Sequence, residues 1–282
     1  EPTPVQRPCP PIMIGGGGRK VLTLAGRTAD IVSFNFNNAE GKVGANSVRS
    51  SSGALMNERV GWVREGAGDR FASIELEVGG YFLSVTDNAS ATAEKFGAGF
   101  GLSAEEMLEH PNALIGTVDA ILWTHEHADH VFGIDDVRQI FHALGRAVPG
   151  YARPSTERRL REQFGYVFEG RHGYPPTVAL ETMPDVMTIG GVTIRAVDQP
   201  HGSITSAGLR FEAGGTTIGY ATDISGMTDD MRALYAGLDV WIVDALRRRP
   251  HPTHPDLPTA LGWIADLAPR RAALIHMDQS MD

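Results

Sequence analysis

Hydrophobic residues near the start of the chain fall into short apolar runs, which indicate buried strands, and a spacing of three and four, which indicates a helix. The run at 11–14 predicts a strand, and the glycines at 15–18 close it. Helical spacing follows over 19–29, and a second apolar run lies at 30–34. This order of strand, glycine loop, helix and strand predicts a βαβ unit of a parallel sheet.

The next stretch, residues 35–55, is rich in Asn, Gly and Ser and predicts a long loop. A series of shorter elements follows, with helices at 57–70, 90–96 and 103–109 and strands at 74–78 and 81–86. Ser90 and Ser103 open the two short helices. They are the predicted N-caps, because a serine oxygen accepts a hydrogen bond from a free backbone N–H of the first turn.

From position 119 onward, strands and helices alternate more regularly. Strands are predicted at 120–124, around Tyr151, and at 192–197, 207–211, 217–221, 240–243 and 272–275, with helices at 135–144, 156–168, 228–236 and 258–267. Gly214 and Gly215 lie between two of these strands and predict a hairpin. The pattern as a whole is that of an α/β protein.

Composition narrows the classes of protein to be considered. Of the 282 residues, 42% are hydrophobic and 21% charged, which excludes intrinsic disorder. No apolar run approaches the roughly 20 residues of a membrane span, so we expect no membrane contact. The net charge of -9 disfavours nucleic acid as a partner, since non-specific binding needs a basic surface. The single cysteine, Cys9, excludes an intrachain disulfide and favours a reducing, cytoplasmic location.

Two residue types are distributed unevenly along the chain. The three lysines, Lys20, Lys42 and Lys95, all precede position 119, whereas nine of the ten histidines follow position 118. The length allows one large domain or two modest ones. Together these observations favour two segments of different origin.

Most of the candidate chemistry lies in one short motif. His125, His127, Asp129 and His130 fall within six residues directly after an apolar strand. Imidazole nitrogens and a carboxylate are ligands that zinc, iron and manganese accept. A histidine-rich surface loop would explain the composition, but the spacing is dense and further candidate ligands follow.

Those further candidates each stand where a predicted strand ends. They are His201, Asp223 and His276. Any one alone would be read as a turn residue at a strand end, but three at equivalent places favour a shared site. A carboxylate such as Asp223 can bridge two metal ions, and two ions roughly 3.5–4 Å apart can activate a water and stabilise a leaving oxygen.

These residues resemble the dinuclear ligand set of the metallo-β-lactamase superfamily. The resemblance implies that one divalent ion, zinc or manganese, is held by His125, His127 and His201, that a second is held by Asp129, His130 and His276, and that Asp223 bridges them. It also implies an αβ/βα sandwich for residues 119–282. Residues 241–246 and 250–255 resemble the phosphodiesterase branch, in particular the phosphoribosyl 1,2-cyclic phosphate phosphodiesterase (PhnP-like) group, a relative of the tRNA 3′-processing endonuclease.

The same resemblance implies catalytic roles. His254 stands where the family has a histidine that protonates the leaving oxygen or contacts the phosphate, and Asp244 would orient it. A metal-bound hydroxide would be the nucleophile. The expected catalytic residues are therefore His254, Asp244 and Asp129. His251 is a weaker candidate, and three arginines at 247–249 are either a phosphate contact or a solvated face.

Residues 1–118 resemble a different family. Residues 7–18, 29–32, 61–65 and 112–118 are similar to the last quarter of the (β/α)₈ barrel of luciferase-like deazaflavin-dependent oxidoreductases. In that family a glycine loop helps to bind the cofactor's phosphate, which implies cofactor binding by Gly15, Gly16, Gly17 and Gly18. A tight βα turn explains the same glycines. Six barrel strands would be missing, so deazaflavin is expected only with the complete family domain.

The expected fold is therefore a partial (β/α)₈-barrel fragment over 1–118, followed over 119–282 by a partial αβ/βα sandwich that lacks its first strands. The expected function is dinuclear metal-dependent hydrolysis of a small phosphodiester, such as a cyclic ribose phosphate. An oxidoreductase fragment and an inactive hybrid of two truncated domains are the alternatives. A natural fusion, a join in the source sequence, a homodimer and the identity of the metal all stay open.

Overall fold

The computed structural model describes residues 10–37, 41 and 43–281. The chain folds into two compact units, Glu1–Thr117 and Val118–Asp282. Cys9, on which the expectation about disulfides depends, lies outside the described residues. No helix in the described part of the chain is both long enough and apolar enough to cross a bilayer.

The described residues of the first unit form five strands, which pair in parallel in two groups. A three-stranded sheet has the order β1 (Met13–Gly16), β2 (Ile31–Phe34) and β3 (Glu75–Val78), and a separate pair consists of β4 (Phe82–Val85) and β5 (Ala113–Gly116). Its helices are α1 (Arg19–Thr28), α2 (Ala45–Arg49), α3 (Gly53–Ala67), α4 (Ala89–Ala98) and α5 (Ala104–Leu108). The predicted βαβ unit is confirmed as β1-α1-β2, with Met13 opposite Ile31 in the parallel register.

Helices α1 and α3 approach each other closely because glycines lie at their contact. A Cβ on Gly66 would stand 2.1 Å from the backbone oxygen of Thr23, and one on Gly26 would stand 2.3 Å from that of Val63. Beneath this contact lies a buried cluster that includes Leu22, Ala25, Val32 and Val63. The glycines therefore let two helix backbones pack where no larger side chain would fit.

Two predictions for the first unit are wrong in part. The predicted loop at 35–55 contains α2 and the start of α3, because Val48 is fully buried in a cluster with Ala93 and Met107. Helix α4 begins before Ser90, and its N-cap is Asn88, whose side chain accepts a hydrogen bond from Ala91 N at 3.0 Å. The predicted N-cap Ser103 is confirmed, and Glu106 completes a capping box with it.

One side of the β4–β5 pair is open to solvent. Leu83 and Leu114 are opposite each other in the parallel register, and their exposed fractions are 61% and 74%. Parallel strands in known folds are covered on both faces. The resemblance of this unit to part of a barrel stays a prediction.

The second unit contains two sheets. The smaller sheet is parallel, in the order β6 (Ile121–Trp123), β7 (Val148–Ala152) and β8 (Val178–Thr182), with β6 at one edge. The larger sheet has six strands in the reverse of chain order: β14 (Arg271–Ile275), β13 (Val240–Asp244), β12 (Thr216–Ala221), β11 (Ile204–Ala213), β10 (Val192–His201) and β9 (Val186–Ile189). The helices are α6 (Ala128–Val131), α7 (Val137–Leu144), α8 (Pro154–Glu169), α9 (Asp229–Leu234) and α10 (Leu257–Leu267).

Three apolar layers hold these sheets and helices together. Helices α7 and α8 cover one face of the small sheet through a cluster that includes Val137, Val148 and Leu160. A second cluster, with Met183 and Leu209, fills the space between the sheets. Helices α9 and α10 pack on the far face of the large sheet through a third cluster centred on Met231, Trp241 and Trp263. The protein is thus mixed α/β, and this unit has the predicted αβ/βα sandwich.

Local differences from the predictions have local reasons. Strands β8 and β9 are absent from the prediction, because both are short, β8 follows a Gly- and Pro-rich turn, and only three residues separate them. The helix predicted at 135–144 begins with a 3₁₀ turn at Phe132–Asp136 before α7. The hairpin at Gly214 and Gly215 is confirmed, with φ of 56° and 77°, as its left-handed turn requires.

Candidate metal centre

The strands of the large sheet bring polar residues to one edge. Strands β10, β12, β13 and β14 run in the same direction, because β10 and β12 are both antiparallel to β11, and β13 and β14 follow β12 in parallel. The residues at their carboxyl ends are His201, Asp223, Asp244 and His276. The motif after β6 joins them, so both sheets contribute to one cluster.

The first group of converging atoms contains three histidines and one carboxylate oxygen. His127 Nδ1 lies 3.1 Å from His125 Nε2 and 3.2 Å from His201 Nε2. Asp223 Oδ2 lies 3.5 Å from His125 Nε2 and 3.4 Å from His201 Nε2. The structure therefore brings together the three histidines that the resemblance assigns to one ion.

The second group uses the other oxygen of the same aspartate. Asp223 Oδ1 lies 3.2 Å from His130 Nε2 and 3.4 Å from His276 Nε2. Asp129 Oδ2 lies 3.3 Å from each of these two nitrogens. Asp223 thus faces both groups, one oxygen to each, as a bridging carboxylate does.

Two of these residues have an uncommon backbone conformation. Asp223 and His276 have φ of 54° and 60°, in the left-handed region that favours glycine. The buried hydroxyl of Ser206 lies 2.9 Å from the carbonyl oxygen of Asp223 and 3.2 Å from that of Thr222. The Thr222 hydroxyl donates to Asp223 Oδ1 at 2.6 Å. Strain of this kind persists where surrounding bonds impose it, and it clusters at functional sites.

Burial and charge set the protonation of the cluster. Desolvation lowers the pKa of the fully buried His125 to about 3, so this imidazole is neutral at pH 7 with a free electron pair. Burial also lowers the pKa of His201. Burial would raise the pKa of Asp223, but contacts with His130 and the Thr222 hydroxyl outweigh it and hold this pKa below its usual range. The carboxylate is therefore ionised.

Hydrogen bonds from outside the cluster orient several of its members. His201 Nδ1 lies 3.1 Å from the carbonyl oxygen of Thr253, which leaves Nε2 directed at the first group. Thr124 Oγ1 lies 3.2 Å from His125 Nδ1. Such partners fix the ring orientation of metal-binding histidines. Ser206 and Thr253 were not predicted, because they act through carbonyl oxygens and contacts distant in sequence, and Thr124 was not predicted although it precedes His125.

The predicted catalytic pair is in contact. His254 Nδ1 lies 2.7 Å from Oδ2 of Asp244, which is fully buried. His254 Nε2 faces the cluster, 3.9 Å from Asp223 Oδ2, and its ring stacks on that of His276 at 4.9 Å. Burial would lower the pKa of His254, but the bond to Asp244 and the charge of that carboxylate outweigh it and raise this pKa.

Other candidate residues have different contacts. His251 Nδ1 accepts from Thr253 N at 3.3 Å, and its ring lies 5.1 Å from that of His254. Arg247 donates to the carbonyl oxygens of Arg249 and Pro250, and Arg248 donates to that of Met281. Arg247 therefore stabilises its own loop, and Arg248 ties that loop to the end of the described chain.

The glycine loop has a packing reason of its own. Gly15 and Gly16 belong to β1, Gly18 is the N-cap of α1, and a Cβ on Gly17 would stand 2.6 Å from the backbone of Phe36. The turn requires glycine at that point whether or not a phosphate binds. Cofactor binding by this loop stays a prediction.

The donor atoms of the cluster fit divalent metal ions. Atoms that share one tetrahedral ion, with bonds of about 2.0–2.2 Å, lie about 3.3–3.6 Å apart. The donor pairs described above, four in each group, lie between 3.1 Å and 3.5 Å apart. Imidazole and carboxylate donors without thiolate suit zinc, iron and manganese.

Comparison with known proteins places this geometry in a family. The beta-lactamase superfamily domain matches residues 96–277, which begins before position 119 and includes every proposed ligand. A solved structure described as a new diphosphatase from the PhnP family is 29% identical, with a TM-score of 0.52, over 70% of this chain and 68% of its own. The structure of unliganded yeast PDE1 covers 67% of this chain and 65% of its own, with a TM-score of 0.50, and at 12% identity it shows the fold alone.

One curated protein is similar over part of its length. An octanoyltransferase of Porphyromonas gingivalis is 28% identical over 168 residues, which are 58% of this chain and 33% of that protein. The chain thus spans about a third of the length of that relative. The matched region, the sandwich and the histidine-aspartate cluster agree with one another, and the chain belongs to the beta-lactamase superfamily.

Proposed function

We propose that the protein is a dinuclear metal-dependent hydrolase of a small phosphodiester, with a cyclic ribose phosphate as the favoured substrate. The observation that carries this proposal is the position of the Asp223 carboxylate between two groups of donors. One of its oxygens faces the first group, and the other faces the second. One ion would be held by His125, His127 and His201, and the other by Asp129, His130 and His276. Zinc and manganese both suit these donors.

The two ions, when bound, supply an activated water and neutralise charge on the phosphate oxygens. The chain's own residues do the rest. Asp223 fixes the spacing of the two groups because it belongs to both. Asp129, whose side chain is 63% accessible, and the exposed His127 leave the centre open to substrate and water.

Proton transfer is assigned to His254. The buried Asp244 carboxylate accepts a hydrogen bond from His254 Nδ1. The other ring nitrogen of His254, Nε2, therefore faces the cluster. Asp244 stabilises the protonated ring, and Nε2 can then give its proton to the oxygen that leaves the phosphate, which leaves the imidazole neutral. His254 lies beside the donor groups, which supports a single reaction centre that combines metal binding and proton transfer.

Two observations support a small substrate over RNA. The net charge of -9 gives little attraction for a polyanion. The similar solved structure belongs to the PhnP family by its description. We also propose a cytoplasmic location, because a single cysteine fits a reducing compartment, and assembly as a homodimer.

A second candidate function is hydrolysis of a phosphoanhydride. It is favoured by the description of the 29% identical structure as a diphosphatase. Both reactions need an activated water and a stabilised phosphate oxygen, so the donor set serves either. Comparison of turnover with a 1,2-cyclic ribose phosphate and with a diphosphate diester decides between them.

Metal content tests the shared basis of both candidates. We expect the purified protein to bind close to two equivalents of zinc or manganese and to hydrolyse bis(p-nitrophenyl) phosphate. His127→Ala removes a donor common to two contacts of the first group and is expected to lower both metal content and hydrolysis. His142→Ala, which alters an exposed histidine outside the cluster, is the control. Substoichiometric metal that is unaffected by His127→Ala contradicts the proposal.

A further inference from the structure

A cavity of about 410 Å³ lies in the second unit, and none of its lining residues belongs to the metal centre. One wall is α7, and the other is the end of α8 with the turn that follows it. The volume lies within the range of small-molecule sites in proteins, about 300–1,000 Å³. The cavity is therefore large enough for a molecule with one ring and one charged group.

The wall formed by α7 presents one face of that helix. Arg138, Phe141 and His142 line the cavity, and their spacing of three and four residues places them side by side. Val137 and Ile140, on the other face, pack into the core against the small sheet. The arrangement leaves a cationic group and an aromatic ring adjacent on a rigid element.

The opposite wall is held by a turn with three left-handed residues. Gly170, His172 and Gly173 have φ of 70°, 53° and 85°. Tyr174 N donates to the carbonyl oxygen of Arg171 at 3.0 Å, and a Cβ on Gly170 would stand 2.4 Å from the Tyr174 carbonyl. This conformation is uncommon for histidine, and it brings Arg171, His172 and Tyr174 to the cavity together.

The charges in the cavity are unbalanced. Arg138 and Arg171 form no ion pair with any carboxylate in the described part of the chain, although the protein as a whole carries a charge of -9. Asp135 is the single acid among the described lining residues, and it accepts a hydrogen bond from the Tyr166 hydroxyl at 2.7 Å. Two free guanidinium groups on facing walls suit an anion, since their N–H donors match phosphate and carboxylate oxygens.

We propose that this cavity is a second binding site, for a small aromatic anion whose phosphate or carboxylate group contacts Arg138 and Arg171. Its ring would pack against Phe141 and Tyr174. The pairing of arginine with aromatic rings provides both parts of this recognition. The site does not depend on the proposed hydrolysis, because it shares no residue with the metal centre.

Calorimetric titration of the full, zinc-loaded chain with phenylphosphonate tests the site, since this probe has a ring and an anion joined by a bond that resists hydrolysis. We expect saturable binding, and weaker binding by about tenfold for methylphosphonate, which lacks the ring, and for benzyl alcohol, which lacks the anion. Arg138→Gln and Arg171→Gln should each weaken phenylphosphonate binding by about tenfold. Both arginines are exposed, so the fold should persist, and circular dichroism checks that it does.

Two controls separate this cavity from other anion sites. Arg232→Gln changes an exposed arginine on α9 outside the cavity and should leave the dissociation constant unchanged. A phosphonate can also bind the zinc ions, so His127→Ala should remove that second, metal-dependent site and leave the dissociation constant of the cavity unchanged. The proposal is overturned if neither arginine substitution in the cavity alters the affinity, if His127→Ala abolishes binding, or if no saturation occurs below about 10 mM probe.

Discussion

Asp223 combines three properties that rarely occur in one residue: burial, a left-handed backbone and contact with two groups of donors. The backbone conformation costs about 1–3 kcal/mol in a residue other than glycine. Ser206 and Thr222 offset part of this cost by hydrogen bonds to the carbonyl and carboxylate oxygens around Asp223. The direction of the carboxylate is thus set before any ion arrives.

Ser206→Ala should weaken metal binding without removing a ligand. Two buried carbonyl oxygens would lose their hydroxyl partner, at a cost of about 1–3 kcal/mol, and Asp223 would be held less firmly. Zinc titration into metal-free protein measures the affinity. Ser225→Ala, which removes an exposed hydroxyl that donates to Pro200 at 3.1 Å, is the matched control. Zinc affinity in Ser206→Ala equal to that of the unaltered protein would argue against the role.

His254→Ala should lower turnover of bis(p-nitrophenyl) phosphate by about 10²–10⁴-fold and leave the metal content intact, because the role proposed for His254 is proton transfer, although its ring also lies within reach of a metal group with Asp223 and His276. Parallel measurements of kcat and of bound metal test this. His251→Ala alters a histidine in the same loop whose Nδ1 accepts from Thr253 N and not from a group of the catalytic pair, and it should have a small effect. Loss of metal from His254→Ala would show that His254 is a ligand.

The sequence predicted the seven proposed ligands because each is a histidine or aspartate beside an apolar strand, and strand ends meet at sheet edges. It also predicted the contact between His254 and Asp244, through family resemblance. The supporting contacts of Ser206 and Thr253 could not be predicted. They depend on carbonyl oxygens whose positions follow from the turn after β12 and the loop before α10.

At the scale of elements, strands and helices with clear periodicity were predicted to within a few residues, including β1, α1, β2 and the hairpin of β11 and β12. Helix α2 and strands β5, β8 and β9 were not. Helix α2 has five residues and its sequence favours a loop, so its structure depends on the burial of Val48. Tertiary packing overrides weak local preference in such segments.

The close contact of α1 and α3 predicts that alanine at two glycines of α3 changes the free energy of unfolding in opposite directions. Gly66→Ala should destabilise the first unit by about 1–3 kcal/mol, because its Cβ would meet the Thr23 backbone at 2.1 Å. Gly61→Ala has no atom within 4 Å of the new Cβ and should stabilise α3 by up to about 1 kcal/mol. Hydrogen exchange of the α1 and α3 amides measures both. Equal effects of the two substitutions would rule out the close approach as the cause.

At the scale of the whole molecule, the chain has two compact units, and the proposed chemistry belongs to the second. Metal should therefore stabilise that unit, since an ion that binds the folded state only adds about 2.7 kcal/mol at 100 times its dissociation constant. We expect chelation by EDTA to lower the midpoint temperature of one unfolding transition in calorimetry. Added zinc should restore that temperature. His127→Ala should show a much smaller shift, and an equal shift in that variant would indicate binding elsewhere.

The open side of the β4–β5 pair affects how the protein behaves in solution. Leu83 and Leu114 lie opposite each other and present an exposed apolar surface on two strands of four residues each. Exposed strands of this kind pair with other chains as concentration rises. The upper limit on the concentration of monodisperse protein is therefore set by the first unit, and a polar residue at Leu114 would raise that limit without altering any proposed metal ligand.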